Sequence, residues 1–164
     1  MNSVRFARWI LPAIIIVLGL ADGALHFALD VVLFGGNFFG RLGPPPGAPQ
    51  ATVRPGPPVP LPLPLNQMFL LNCIGYLVLV GLFWFAWRRR DRWRLGVTLV
   101  LLAYVATAFL AWVDLGRPNP MGLGYLSKGV EIVLALALLA NAWTLLRSTG
   151  TVRQTQPRAS GARP

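Results

Sequence analysis

One cysteine, one histidine and five acidic residues make up nearly all the reactive side chains of this 164-residue protein. With Cys73 alone, no internal disulfide and no CxxC redox pair can form, and its place in an apolar run reads as a small buried hydrophobe. For a metal, Asp22, His26, Asp30 and Glu131 are the candidate ligands, but one histidine without a cysteine partner is a weak signature, so the expectation is no metal and no cofactor. Haem would need His26 with a methionine, and Met68 and Met121 both fall at the outer edge of the apolar runs. No serine has a plausible histidine and acid partner, since Ser127 adjoins Lys128 at a helix start and Ser3, Ser148 and Ser160 lie outside the apolar runs, and no glycine-rich phosphate loop follows a strand. These absences lean against an enzyme.

Charge is scarce as well: 12% of residues are charged, against 55% in the hydrophobic set. A soluble domain needs far more polar surface, so the composition excludes that class and points to an integral membrane protein. Four runs are long and apolar enough to cross a hydrocarbon core of about 30 Å as helices, at residues 9–34, 68–87, 95–113 and 129–146. The expected fold is therefore an all-α, four-span transmembrane bundle over residues 1–147, followed by a basic tail, 148–164, without periodicity and expected to be disordered.

The net charge of +10 is a topology signal before it is a nucleic-acid signal. Arg5 and Arg8 precede the first run, the link RRRDRWR (88–94) joins the second and third, and Arg147, Arg153, Arg158 and Arg163 follow the fourth. In a four-span chain these all fall on one side, which the positive-inside rule makes cytoplasmic, with both termini inside. No folded aqueous surface is left for nucleic acid; membrane lipids are the expected partners, along with subunits of a membrane complex or further copies of the chain. Trp9, Trp84, Trp87, Trp93 and Trp143 fall near the inner interface and Trp112 near the outer one, the depth that amphipathic rings favour. The protein is thus expected in a bacterial inner membrane. Arg5, Arg8, LPAIIIVLGL and Ala21-Asp22-Gly23 imitate a secretory signal, but the apolar run resumes at Ala24, so a retained signal-anchor helix is expected.

Between the first two runs lies RLGPPPGAPQATVRPGPPVPLPLPL (41–65), which favours extended polyproline II and reads as a semi-rigid extracytoplasmic spacer, with docking to an aromatic-lined groove as its alternative use. The loop DLGRPNPMGLGYLSK (114–128) is short and reads as an ordered set of turns.

Asp22, His26 and Asp30 are four residues apart and share one helix face with Gly19 and Gly23. Such a face belongs against other helices, where polar groups find partners. The other runs carry matching stripes: Asn72 and Tyr76; Tyr104, Thr107, Ala111 and Asp114; Lys128 and Glu131. Pairing is expected between Lys128 and Glu131 or Asp30, between Arg117 and Asp114, and between His26 and a carboxylate or Tyr104. The cluster reads either as a packing network in an accessory or scaffolding subunit, the preferred expectation, or as a site for a small ligand or a proton. Four helices are few for alternating-access transport.

Two stretches, FLLNCIGYLVLV (69–80) and PMGLGYLSKGVEIVL (120–134), resemble a loose group of small four-helix bacterial membrane proteins. The matching residues are Asn72, Gly75 and Tyr76 of an N-x-x-G-Y pattern, and Gly124, Tyr125, Lys128 and Glu131 of a G-Y-x-x-K-x-x-E pattern. The resemblance implies the fold and singles out Lys128 and Glu131, and it carries no activity.

Overall fold

The computed structural model describes residues 3–35, 65–89, 91–117, 119 and 122–154. Among these the chain forms four α-helices and no strand: α1 (Ser3–Phe34), α2 (Leu65–Trp87), α3 (Asp91–Asp114) and α4 (Leu123–Gln154). Each contains a segment long and apolar enough to cross a membrane: Trp9–Leu33, Gln67–Trp87, Trp93–Asp114 and Leu123–Arg147. The protein is an all-α, multi-pass four-helix membrane bundle, as its sequence implies.

The helices outlast the apolar runs that mark them. Hydropathy changes at the edge of the hydrocarbon, whereas the hydrogen-bond ladder runs on until backbone geometry stops it. α1 is already helical at Ser3, which places Pro12 inside the helix and not in its opening turn. It stops at Gly35, whose left-handed φ of 64° turns the chain out while its N–H bonds the Val31 carbonyl at 2.9 Å. α4 starts six residues before Gly129, with Asn119 Oδ1 accepting the Tyr125 N–H at 3.1 Å near its first turn. It continues to Gln154, so residues 148–154, expected to be disordered, are helical. Residues 155–164 and nearly all of the proline-rich segment lie outside the described residues.

α1 packs against α2 and α4, and α3 closes the ring against the same two helices. The core is a column of Ile15, Tyr76, Phe83, Leu101, Val105, Leu134 and Leu138. Around it the usual order is inverted. Val17, Leu110, Leu136 and Trp93 point outward, while Asp22, His26, Asp30, Ser127, Lys128 and Glu131 are buried. A bundle solvated by lipid has no reason to hide apolar side chains and a strong reason to hide ionisable ones.

One end of the bundle is belted by aromatic rings: Trp9 meets Trp87 edge-on at 5.9 Å, and Arg88, Arg94 and Arg147 lie over Trp84, Trp87 and Trp143. Trp112 and Tyr125 make the corresponding edge contact, at 5.6 Å, between the end of α3 and the start of α4. The tryptophans therefore sort to two ends as their positions in the sequence imply.

Candidate ligand-binding site

Asp22, His26, Tyr76, Lys128 and Glu131 converge in the half of the bundle where α1 ends and α4 begins. Helical spacing brings this about: His26 lies one turn after Asp22 on α1, and Glu131 lies three residues after Lys128 on α4, so two short rows meet across the α1–α4 contact. Ser127 joins them. Its hydroxyl donates to Asp22 Oδ1 at 2.8 Å, crossing from α4 to α1.

His26 Nδ1 lies 2.9 Å from the main-chain oxygen of Asp22, one turn back. The expected bond to a carboxylate or to Tyr104 is thus replaced by one to the backbone, because the ring on a helix reaches its own preceding carbonyl first. The two carboxylates flank the imidazole without bonding it: Asp22 Oδ2 is 3.8 Å from Nδ1 and Glu131 Oε1 is 3.8 Å from Nε2. Glu131 Oε1 takes the ammonium of Lys128, which also reaches the Ala108 carbonyl at 3.5 Å. The Tyr76 ring lies tilted beside His26 at 5.6 Å and edge-on to Tyr104 at 5.1 Å.

Tyr104 turns away from His26 and bonds α2 instead. Its hydroxyl donates to Asn72 Oδ1 at 2.7 Å, with the Asn72 main-chain oxygen at 3.1 Å. The approach depends on Gly75, since a Cβ there would collide with the phenol of Tyr104. Gly75→Ala should therefore push Tyr104 off Asn72 and destabilise the bundle by about 1–3 kcal/mol, an overpacking cost readable as a lowered unfolding midpoint in detergent. An unchanged midpoint would mean that the tyrosine adapts freely.

The remaining sequence-derived candidates stand apart. Asp30 is buried, yet neither of its carboxylate oxygens has a hydrogen-bond partner among the described residues; of the two partners expected for Lys128, Glu131 takes the ammonium. Asp114 and Arg117 are both exposed, and among the described residues no ion pair joins them. Gly116 and Arg117 take consecutive left-handed conformations, φ 80° and 61°, while the Arg117 N–H bonds the Trp112 carbonyl at 3.0 Å. That turn carries Arg117 off the stripe. A charge already in water also gains little by pairing.

Besides Ser127, two polar positions were not singled out by the sequence. Asn141 Nδ2 donates to Thr98 Oγ1 at 3.0 Å, and Thr98 donates to the Arg94 carbonyl at 2.7 Å, which ties α4 to α3 near the basic end. Asn141 was legible in principle, because it continues the buried row Glu131, Leu134, Leu138 along α4.

Beside the cluster lies a cavity of about 390 Å³ bounded by all four helices. Leu29, Met68, Phe69, Ala111 and Trp112 contribute to a largely apolar wall, and His26, Asn72, Tyr104, Ser127 and Lys128 are polar residues of its lining. A second, almost wholly apolar groove, with Phe109 and Leu136 in its wall, lies between α3 and α4 and has Glu131 at its edge. Comparisons of this chain with protein families, with curated proteins and with solved structures find no match.

Proposed function

We propose that this protein is a small-ligand-binding membrane protein, taking an amphiphile whose apolar body fills the cavity and whose polar head meets His26, Ser127 and Lys128. One observation carries this reading: a cavity of about 390 Å³, within the size range of small-molecule sites, has apolar walls and a few convergent polar groups. A packing network alone needs no space beside it, whereas here His26, Ser127 and Lys128 also line a cavity. The chain sits in a bacterial inner membrane with both termini and the arginine-rich link in the cytoplasm. That orientation is supported by Arg88, Arg94 and Arg147, which lie over tryptophan rings at a single end. The site then lies in the extracytoplasmic half, and the proline-rich segment forms the loop on that side. Kinship with the small four-helix bacterial group belongs to the same reading.

The groove between α3 and α4 supports a second reading, an accessory subunit whose partner helix lies there. Native mass spectrometry of the protein taken from its own membranes in mild detergent separates the two. A reproducible added small mass supports the ligand reading, and co-purified subunits in fixed stoichiometry support the accessory one. A bare chain would sink the first.

A further inference from the structure

Asp22, His26 and Glu131 each commit one polar atom to the protein and keep another bare. Asp22 Oδ1 accepts from Ser127, and Oδ2 has no hydrogen-bond partner among the described residues. Glu131 Oε1 holds the Lys128 ammonium, and Oε2 has none. A carbonyl 2.9 Å from His26 Nδ1 requires the proton on that nitrogen, so in the neutral ring Nε2 carries the lone pair. The fully buried Tyr76 hydroxyl interacts with Asp22 but, among the described residues, has no partner within hydrogen-bond distance. One ligand atom from each of the three residues lies within 4.8 Å of the others.

That pattern, in which each donor is oriented by a partner on one side and left open on the other, is how proteins hold metal ligands. A packing network has no use for it: buried polar groups that serve only to join helices are satisfied by one another. Formal charge points the same way. Two buried carboxylates face a single ammonium, so with a neutral imidazole the cluster is one positive charge short.

We propose that Asp22, His26 and Glu131 bind a divalent transition-metal ion of the zinc type, with Tyr76 or a water as fourth donor. One imidazole and two carboxylates suit such an ion, and the absence of thiolate disfavours copper(I). Bonds of about 2.0–2.2 Å in a tetrahedral shell set ligand atoms roughly 3.3–3.6 Å apart, so the three side chains draw together slightly on binding. Lys128 stays on Glu131 and orients it, while Ser127 does the same for Asp22. His26 also lines the cavity, so the ion would sit at the cavity's polar margin, and metal uptake is read apart from any added small mass.

The test uses the untagged full chain, stripped with a chelator in mild detergent and titrated with Zn²⁺, with Co²⁺ as the absorbance probe. One ion per chain is expected, together with a metal-dependent rise in the melting temperature and a cobalt spectrum of nitrogen and oxygen ligation without a thiolate band. His26→Ala and Glu131→Gln should each weaken binding by at least ~10-fold, and Cys73→Ser should leave it unchanged. Glu131→Gln keeps the volume of the side chain, and gel filtration shows whether it stays a single folded species, so the result does not hang on His26→Ala folding. Ser127→Ala, remote from the metal itself, should weaken binding more mildly. Wild-type protein that takes up no zinc, or zinc bound equally by the wild type and both ligand variants, would overturn the site.

Discussion

Lys128→Met alone should destabilise the folded protein by about 3–5 kcal/mol, the usual cost of leaving one member of a buried ion pair without its partner. Glu131 is fully buried and its short side chain cannot carry the charge out to water, so losing the ammonium strands a carboxylate beside Asp22. The reverse change should be milder. Lys128 lies only six residues into α4, its side chain is 7% exposed, and its long stem can lift the ammonium toward the nearby helix end once Glu131→Leu removes its partner. A cost of about 1–2 kcal/mol is expected there. The double change, Lys128→Met with Glu131→Leu, should return to within about 1 kcal/mol of the parent, since packed apolar side chains of similar volume can replace a buried pair. Denaturant unfolding in one detergent across all four proteins closes the cycle. If the double variant is as unstable as Lys128→Met, the ammonium is holding something other than Glu131, with Ala108 and the face of Trp112 as the remaining contacts.

Much of this site was legible from rarity. In a chain with five acids and one histidine, any of them inside an apolar run must face inward, and the spacing of four in Asp22 and His26, or of three in Lys128 and Glu131, fixes which face. The Lys128–Glu131 pair is local to one helix, so sequence separation was enough to find it. The links that depend on how helices meet were not available in the same way. Ser127 reads as a helix-start residue next to a lysine until α4 docks on α1 and its hydroxyl reaches Asp22. Asn72 and Tyr104 each lie on a recognisable stripe, yet their union rests on the space left at Gly75.

Asp114 and Arg117 show the opposite limit. Their spacing of three satisfies a helical rule, but α3 ends at Asp114 and the left-handed turn at Gly116 and Arg117 breaks the periodicity on which the rule depends. The helix ends were misplaced for a related reason. Apolar runs report where lipid is, whereas Gly35 and Asn119 mark where hydrogen bonding turns the chain.

Filling the cavity should separate ligand binding from folding more sharply than any change to the charged cluster. Ala111 lies on the α3 wall of the cavity beside Trp112, and neither charge nor hydrogen bonding passes through its methyl group. Ala111→Trp places an indole in space otherwise left for the ligand, so affinity should fall by about 100-fold, equivalent to about 2.7 kcal/mol. The unliganded bundle should keep its melting temperature or gain slightly, since a filled void restores contacts that its lining lacks. Asn72→Leu probes the polar margin of the same space: it retains bulk but removes the side-chain acceptor of the Tyr104 hydroxyl, leaving only the longer contact to the main-chain oxygen, and its effect on affinity should be nearer ~10-fold. Native mass spectrometry read together with thermal melts distinguishes these effects. An added mass that survives Ala111→Trp at parental stoichiometry would place the ligand elsewhere, with the groove between α3 and α4 as the next surface to block, at Leu136. Loss of the mass with an unchanged melt ties binding to this cavity, because a general loosening of the bundle would lower the melt and release the ligand together.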